Sequence, residues 1–158
     1  MRAIFTVVTF ITLLNVSQII QAEDSPLALV GATLRVKAPI TIDANRGDAY
    51  FQSGQRVQEV AVDQYYPNCN IELYSLSKSS RKLEADTFTI NRVTEFEVYP
   101  FTGETTQPMA TSFNISSSSQ PDVVKLTCEH WESEINGAAE FLTLGQIKKA
   151  LGSNFSFR

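Results

Sequence analysis

The chain has 158 residues, 17 acidic and 13 basic side chains, one histidine, two cysteines and a net charge of −4 at neutral pH. That length predicts one domain large enough to bury a real core. The weak acidic balance, with no cluster of Lys or Arg, disfavours partners such as nucleic acid and anionic membrane surfaces.

Arg2 gives the N-terminus its charged start, and Ala3 to Leu14 is apolar apart from Thr6, Thr9 and Thr12. A polar step follows at Asn15, Ser17 and Gln18, and Ala22 precedes the acidic pair Glu23-Asp24. These are the parts of a secretory signal peptide, predicted over residues 1–22 with cleavage near Ala22. Ile20 stands where such sites usually carry a small residue. The alternative is an uncleaved anchor, but a spanning helix needs about 20 apolar residues and this run is shorter. The expected product is an exported chain, periplasmic or secreted, with no stable membrane span after cleavage.

Residues 23–31 form a short lead-in containing Pro26, and residues 32–135 carry a series of strand signals. Leu34 and Val36 alternate with polar neighbours; Pro39 interrupts; Ile40 and Ile42 alternate again. Asn45-Arg46-Gly47-Asp48 is a turn cluster, Ala49 to Gln52 a short strand and Ser53-Gly54-Gln55 a second turn. Val57 to Val62 is expected to be extended, followed by Tyr65-Tyr66-Pro67 and a strand through Cys69. Ser77 to Lys82 and Thr102 to Pro108 read as loops. Between them Phe88, Ile90, Phe96 and Val98 share one parity, which predicts two strands with a tight turn or one long strand with a bulge. Met109 to Ile115 and Val123 to Trp131 complete the series, with Ser116 to Pro121 as a flexible connection. The fold class is mainly β: an antiparallel β-sandwich or small barrel. An outer-membrane barrel would need strands of about ten residues with sustained alternation, and the predicted strands are mostly shorter.

Residues 136–158 hold one short C-terminal helix and a tail that pack on the same domain. Thr143 is an N-cap with Gln146 three residues on, Leu142 and Ile147 form a staple, and Gly152 is the stop. Leu144, Ile147 and Leu151 share its apolar face, which should lie on the sheet or plug an open end of it.

Export places the two cysteines in an oxidising compartment. In extended strands Cys69 shares a face with Ile71 and Leu73, and Cys128 with Leu126 and Val124. Both sulfurs then point inward, which predicts a Cys69–Cys128 disulfide; the alternative is two buried free thiols.

The candidates for chemistry are thin. Cys128, His130 and Glu132 lie on one side of a strand, but zinc-type sites want about four ligands, often as separated pairs, and no second pair exists. No metal and no cofactor is expected. A catalytic triad would have to use His130, no serine sits in a Gly-x-Ser-x-Gly setting, and the Ser116–Ser119 run reads as loop. Carboxylates such as Asp63, Glu72, Asp86, Glu95 and Glu97 are scattered; Glu95 and Glu97 alternate with Phe96 and Val98 in the manner of a solvated face. Arg46-Gly47-Asp48 matches the integrin-binding tripeptide, although glycine between polar residues is ordinary turn chemistry. The binding candidates are Tyr65, Tyr66 and Trp131. Two adjacent tyrosines before a proline cannot both face inward on a strand, and Trp131 lies on the face opposite Cys128. Alternatively, these aromatics cover the second face of a sandwich or pack under the C-terminal helix.

The run Val62-Asp63-Gln64-Tyr65-Tyr66-Pro67-Asn68-Cys69-Asn70-Ile71-Glu72-Leu73, the segments Asp86–Val93 and Leu126–Trp131, and the Leu142–Gly152 helix together resemble a family of uncharacterised exported proteins of gammaproteobacteria. The resemblance implies a periplasmic location and paired cysteines, and it brings no activity, ligand or catalytic residue. Two functions are open: a non-catalytic binding or envelope-accessory module for an unknown protein, peptide or envelope component, or a small periplasmic hydrolase with an unrecognised site.

Overall fold

The computed structural model describes residues 24–97, 106–133 and 140–158. The predicted signal peptide lies outside them. Among the described residues the chain forms β1 (Thr33–Val36), β2 (Ile40–Ile42), β3 (Asp48–Gln52), β4 (Gln55–Val57), β5 (Asn68–Leu73), β6 (Arg81–Leu83), β7 (Asp86–Glu97), β8 (Thr106–Ser116), β9 (Val123–Ser133), α1 (Leu144–Leu151) and β10 (Phe155–Phe157). Eight strands make one antiparallel sheet in the order β10-β1-β7-β8-β9-β5-β3-β4, while β2 and β6 pair separately. The sheet curls into a half-barrel, so the fold is mainly β with one short C-terminal helix, as the alternation predicts.

Cross-strand partners share a face of the sheet, so the register defines layers of the core. One layer is Ala49, Ile71, Leu126, Phe113 and Val93, all buried. The next is Phe51, Cys69, Cys128, Thr111 and Glu95. Cys69 and Cys128 are bonded as a disulfide, directly opposite each other on adjacent strands with Cα atoms 4.0 Å apart. Parity alone placed both sulfurs inward, and both residues are wholly buried.

The long strand β7 holds a bulge. Its register against β8 shifts between Ile90 and Arg92, leaving Asn91 as the extra residue. Phe88 and Ile90 are buried before it, and Val93 is buried after it. One extra residue reverses the alternation of everything that follows. The single parity expected through Phe96 therefore fails: Phe96 is 41% exposed on the outer face, and Glu95 and Glu97 move to the face of Val93. Val98 lies outside the described residues.

Other differences are smaller. The expected extension over Val57 to Val62 becomes the end of β4 and a 3-10 turn over Glu59–Ala61. The short strand β6 begins inside an expected loop, as does β8, and β7, β8 and β9 run 12, 11 and 11 residues, longer than expected. The tail after Gly152, expected to pack on the domain, does so as the strand β10 paired with β1.

Helix α1 closes the gap between the two ends of the sheet. Its capping box is complete: the Gln146 N–H donates to Thr143 Oγ1 at 3.2 Å and the Thr143 N–H to Gln146 Oε1 at 2.8 Å. Leu144, Ile147, Ala150 and Leu151 are buried against the strands. At its C-terminal end the backbone meets the β3–β4 turn. Ser53 and Gly54 both have positive φ there, as a two-residue hairpin requires. The Gly54 N–H donates to the Ala150 carbonyl at 2.9 Å, and Phe51 of β3 meets Phe155 of β10 edge-on at 5.0 Å. Gly152 has φ +61°, and a Cβ built on it would lie 2.4 Å from the Gly54 Cα. Backbone, not a flexible side chain, fills that space.

Two glycine substitutions separate conformation from contact. Gly31 also has positive φ, +86°, but a Cβ there meets nothing within 4 Å. Gly31→Ala is expected to cost about 1–2 kcal/mol, the ordinary penalty of that backbone region. Gly152→Ala adds an overpacking term and is expected to cost about 3 kcal/mol or more. Urea denaturation of both variants checks the difference; equal losses would show that the sheet ends do not depend on the Gly54–Gly152 contact.

Candidate functional site

The predicted binding residues come together at the N-terminal end of β5. Tyr65 and Tyr66 are 59% and 63% exposed, and Trp131 is partly buried beside them. The Tyr65 and Trp131 rings meet edge-on with centroids 6.0 Å apart. Tyr66 turns the other way, where with Ser53, Pro67, Gln146, Lys149 and Ala150 it lines a cavity of about 240 Å³. Tyr66 thus lies beside the helix, and neither tyrosine is buried beneath it.

The loop that carries them is fixed by its own backbone. Gln52, the last residue of β3, donates from Nε2 to the carbonyls of Asp63 (2.7 Å) and Tyr66 (3.2 Å), and its Oε1 accepts the Asp63 N–H (3.1 Å). Asp63 Oδ1 accepts the Tyr65 N–H at 3.1 Å, an Asx turn. The buried Asn68 amide donates to the Tyr66 and Glu129 carbonyls, and the Trp131 N–H donates to the Gln64 carbonyl at 2.7 Å. Tyrosine and tryptophan give rigid contact area at low entropic cost when the backbone beneath them is already ordered. Gln52 and Asn68 were missed from sequence. An amide one residue before an inward cysteine, and another just before a Ser-Gly turn, were the available signals.

A second region lies on the inner face of the sheet, at its end beyond the disulfide. The layers there turn polar: Glu95 faces Thr111, and Glu97, Met109 and His130 form the next row. Glu95, expected on a solvated face, is half-buried, and burial pushes its carboxyl pKa up. It lines a cavity of about 310 Å³ with Asp24, Ser25, Pro26, Phe141, Leu142 and Thr143. On the outer face Glu129 is raised too, by burial first and then by the neighbouring Glu72 charge.

The remaining candidates resolve into structural pairings. Asp86 accepts hydrogen bonds from the Ser117 and Ser119 hydroxyls, the Gln120 amide and the Thr87 N–H. Burial would raise its pKa, but these donors outweigh it and bring it down to about 2. A carboxylate that acidic is a poor base for activating either serine. Arg46 pairs with Asp48 at 2.8 Å and also with Glu59, so the Arg-Gly-Asp turn engages itself. Among the described residues no group of three or more His, Cys, Asp or Glu side chains converges on one point, and Cys128 is committed to the bridge. No protein-family model, curated protein or solved structure matches the chain.

Gln52 gives this site a direct test. Gln52→Ala removes three hydrogen bonds, each contributing about 1 kcal/mol net. Amide exchange at Tyr65 and Tyr66 should accelerate about tenfold or more while β5 and β9 keep their protection. Unchanged exchange would mean that Gln52 does not order the loop.

Proposed function

We propose that the chain is an exported, non-catalytic binding domain of the cell envelope, periplasmic or secreted, of the kind its gammaproteobacterial resemblance suggests. Its partner is a protein or peptide segment laid across the Tyr65–Trp131 shelf. The observation that carries the reading is the exposed Tyr65, on a loop held by Gln52, Asn68 and the β9 backbone, set edge-on against the partly buried Trp131 of β9. Exposed aromatics on an ordered backbone are the residues that dominate binding energy at interfaces. The export part of the reading is supported by the signal-peptide pattern over residues 1–22 and by the buried disulfide. Among the described residues no helix is long and apolar enough to cross a membrane. A hydrolase is the weaker reading, because the serines nearest an acid are bound to an ionised Asp86.

The test compares capture by the tagged chain from an envelope fraction with capture by a Tyr65→Ala/Trp131→Ala variant. Truncating such anchors costs about 2 kcal/mol or more, so affinity for the specific partner should fall at least about 30-fold with the circular dichroism spectrum unchanged. Equal capture by both proteins would overturn the assignment of the shelf.

A further inference from the structure

We propose that the polar end of the half-barrel's inner face binds a small molecule carrying an ammonium group on an apolar body. The cavity of about 310 Å³ is of a size that takes small ligands, and mouths of β-barrels are a frequent place for them. Its walls are apolar at Pro26, Phe141 and Leu142, and its charges are the two carboxylates Asp24 and Glu95.

These two carboxylates are not equivalent. Asp24 is engaged with the start of α1: its carbonyl accepts the Leu144 N–H at 2.8 Å and its Oδ1 accepts the Gly145 N–H at 3.0 Å. It offsets the positive end of that helix. Glu95 has no hydrogen bond or ion pair among the described residues, and the β7 bulge holds it half-buried on the inner face. Directly across the ladder stands Thr111, wholly buried, whose Oγ1 has no hydrogen-bond partner. Thr111 does not line the cavity, so the group that faces a ligand there is Glu95.

A partly buried carboxylate without a protein partner attracts a cation that shares its cavity. An ammonium has three donors and no acceptor, so it suits a carboxylate that faces the cavity with no donor of its own. An anion would meet two negative charges, and a neutral ligand would leave Glu95 uncompensated. The apolar walls then select for a hydrophobic body behind the charge. This site is separate from the tyrosine shelf and does not depend on it.

The probe is 2-phenylethylammonium, titrated into the folded chain and followed by amide chemical shifts, with 2-phenylethanol and phenylacetate as matched neutral and anionic controls. Saturable shifts are expected at Glu95, Thr111 and Leu142, with both controls binding at least tenfold more weakly. Glu95→Gln should weaken the ammonium at least tenfold, while Glu84→Gln, an exposed carboxylate that does not line this cavity, should leave it unchanged. The absence of saturable shifts at millimolar probe, equal binding of the alcohol, or undiminished binding to Glu95→Gln would each overturn the proposal. If Glu95→Gln does not fold, the ranking of the three probes on the unaltered chain decides it.

Discussion

The disulfide between Cys69 and Cys128 is the constraint from which the rest of the molecule can be read. It joins β5 and β9 at directly opposed positions and closes a sequence separation of 59 residues. In the chain-entropy model such a closure stabilises by about 4 kcal/mol. Its place in the layered core matters as much as its strength. On one side of it the inner face is wholly apolar, through Ile71, Leu126 and Phe113. On the other side, after Thr111 and Glu95 in the same layer, the rows become polar. The bridge thus secures the sheet where hydrophobic packing gives out.

Two local devices shape the region beyond it. The bulge at Asn91 turns Glu95 inward and Phe96 outward, so one extra residue exchanges which side chains line the cavity and which face solvent. The Gly54–Gly152 approach draws β3 and β10 together through the helix end, where strand hydrogen bonds do not join them. Helix α1 then stands beside both candidate regions: Leu142 and Thr143 near its N-terminus line the cavity of Glu95, and Gln146 and Lys149 line that of Tyr66.

Much of this was legible in the sequence wherever a signal was local. Parity alone placed the two cysteines inward, and Thr143, Gln146 and Gly152 announced the helix with its cap and stop. Adjacent tyrosines on a strand face opposite ways, which predicts one exposed ring at Tyr65-Tyr66; the structure exposes both. What sequence could not supply was non-local. A bulge is one of the two readings the sequence allows here, but its position is set by pairing with β8, and that position turns Glu95 inward where the alternation predicts a solvated face. Gln52 and Asn68 hold the tyrosine loop through backbone carbonyls, which no residue pattern specifies. Strand β10 is three residues long and exists because β1 offers it an edge.

The fold is built around the Cys69–Cys128 bridge. The most direct measurement is mass analysis of the chain, denatured and treated with a thiol alkylator before and after reduction. The account predicts no alkylation before reduction, two alkylations after it, and a loss of stability of about 4 kcal/mol in the reduced chain. Two alkylated thiols without reduction would contradict it.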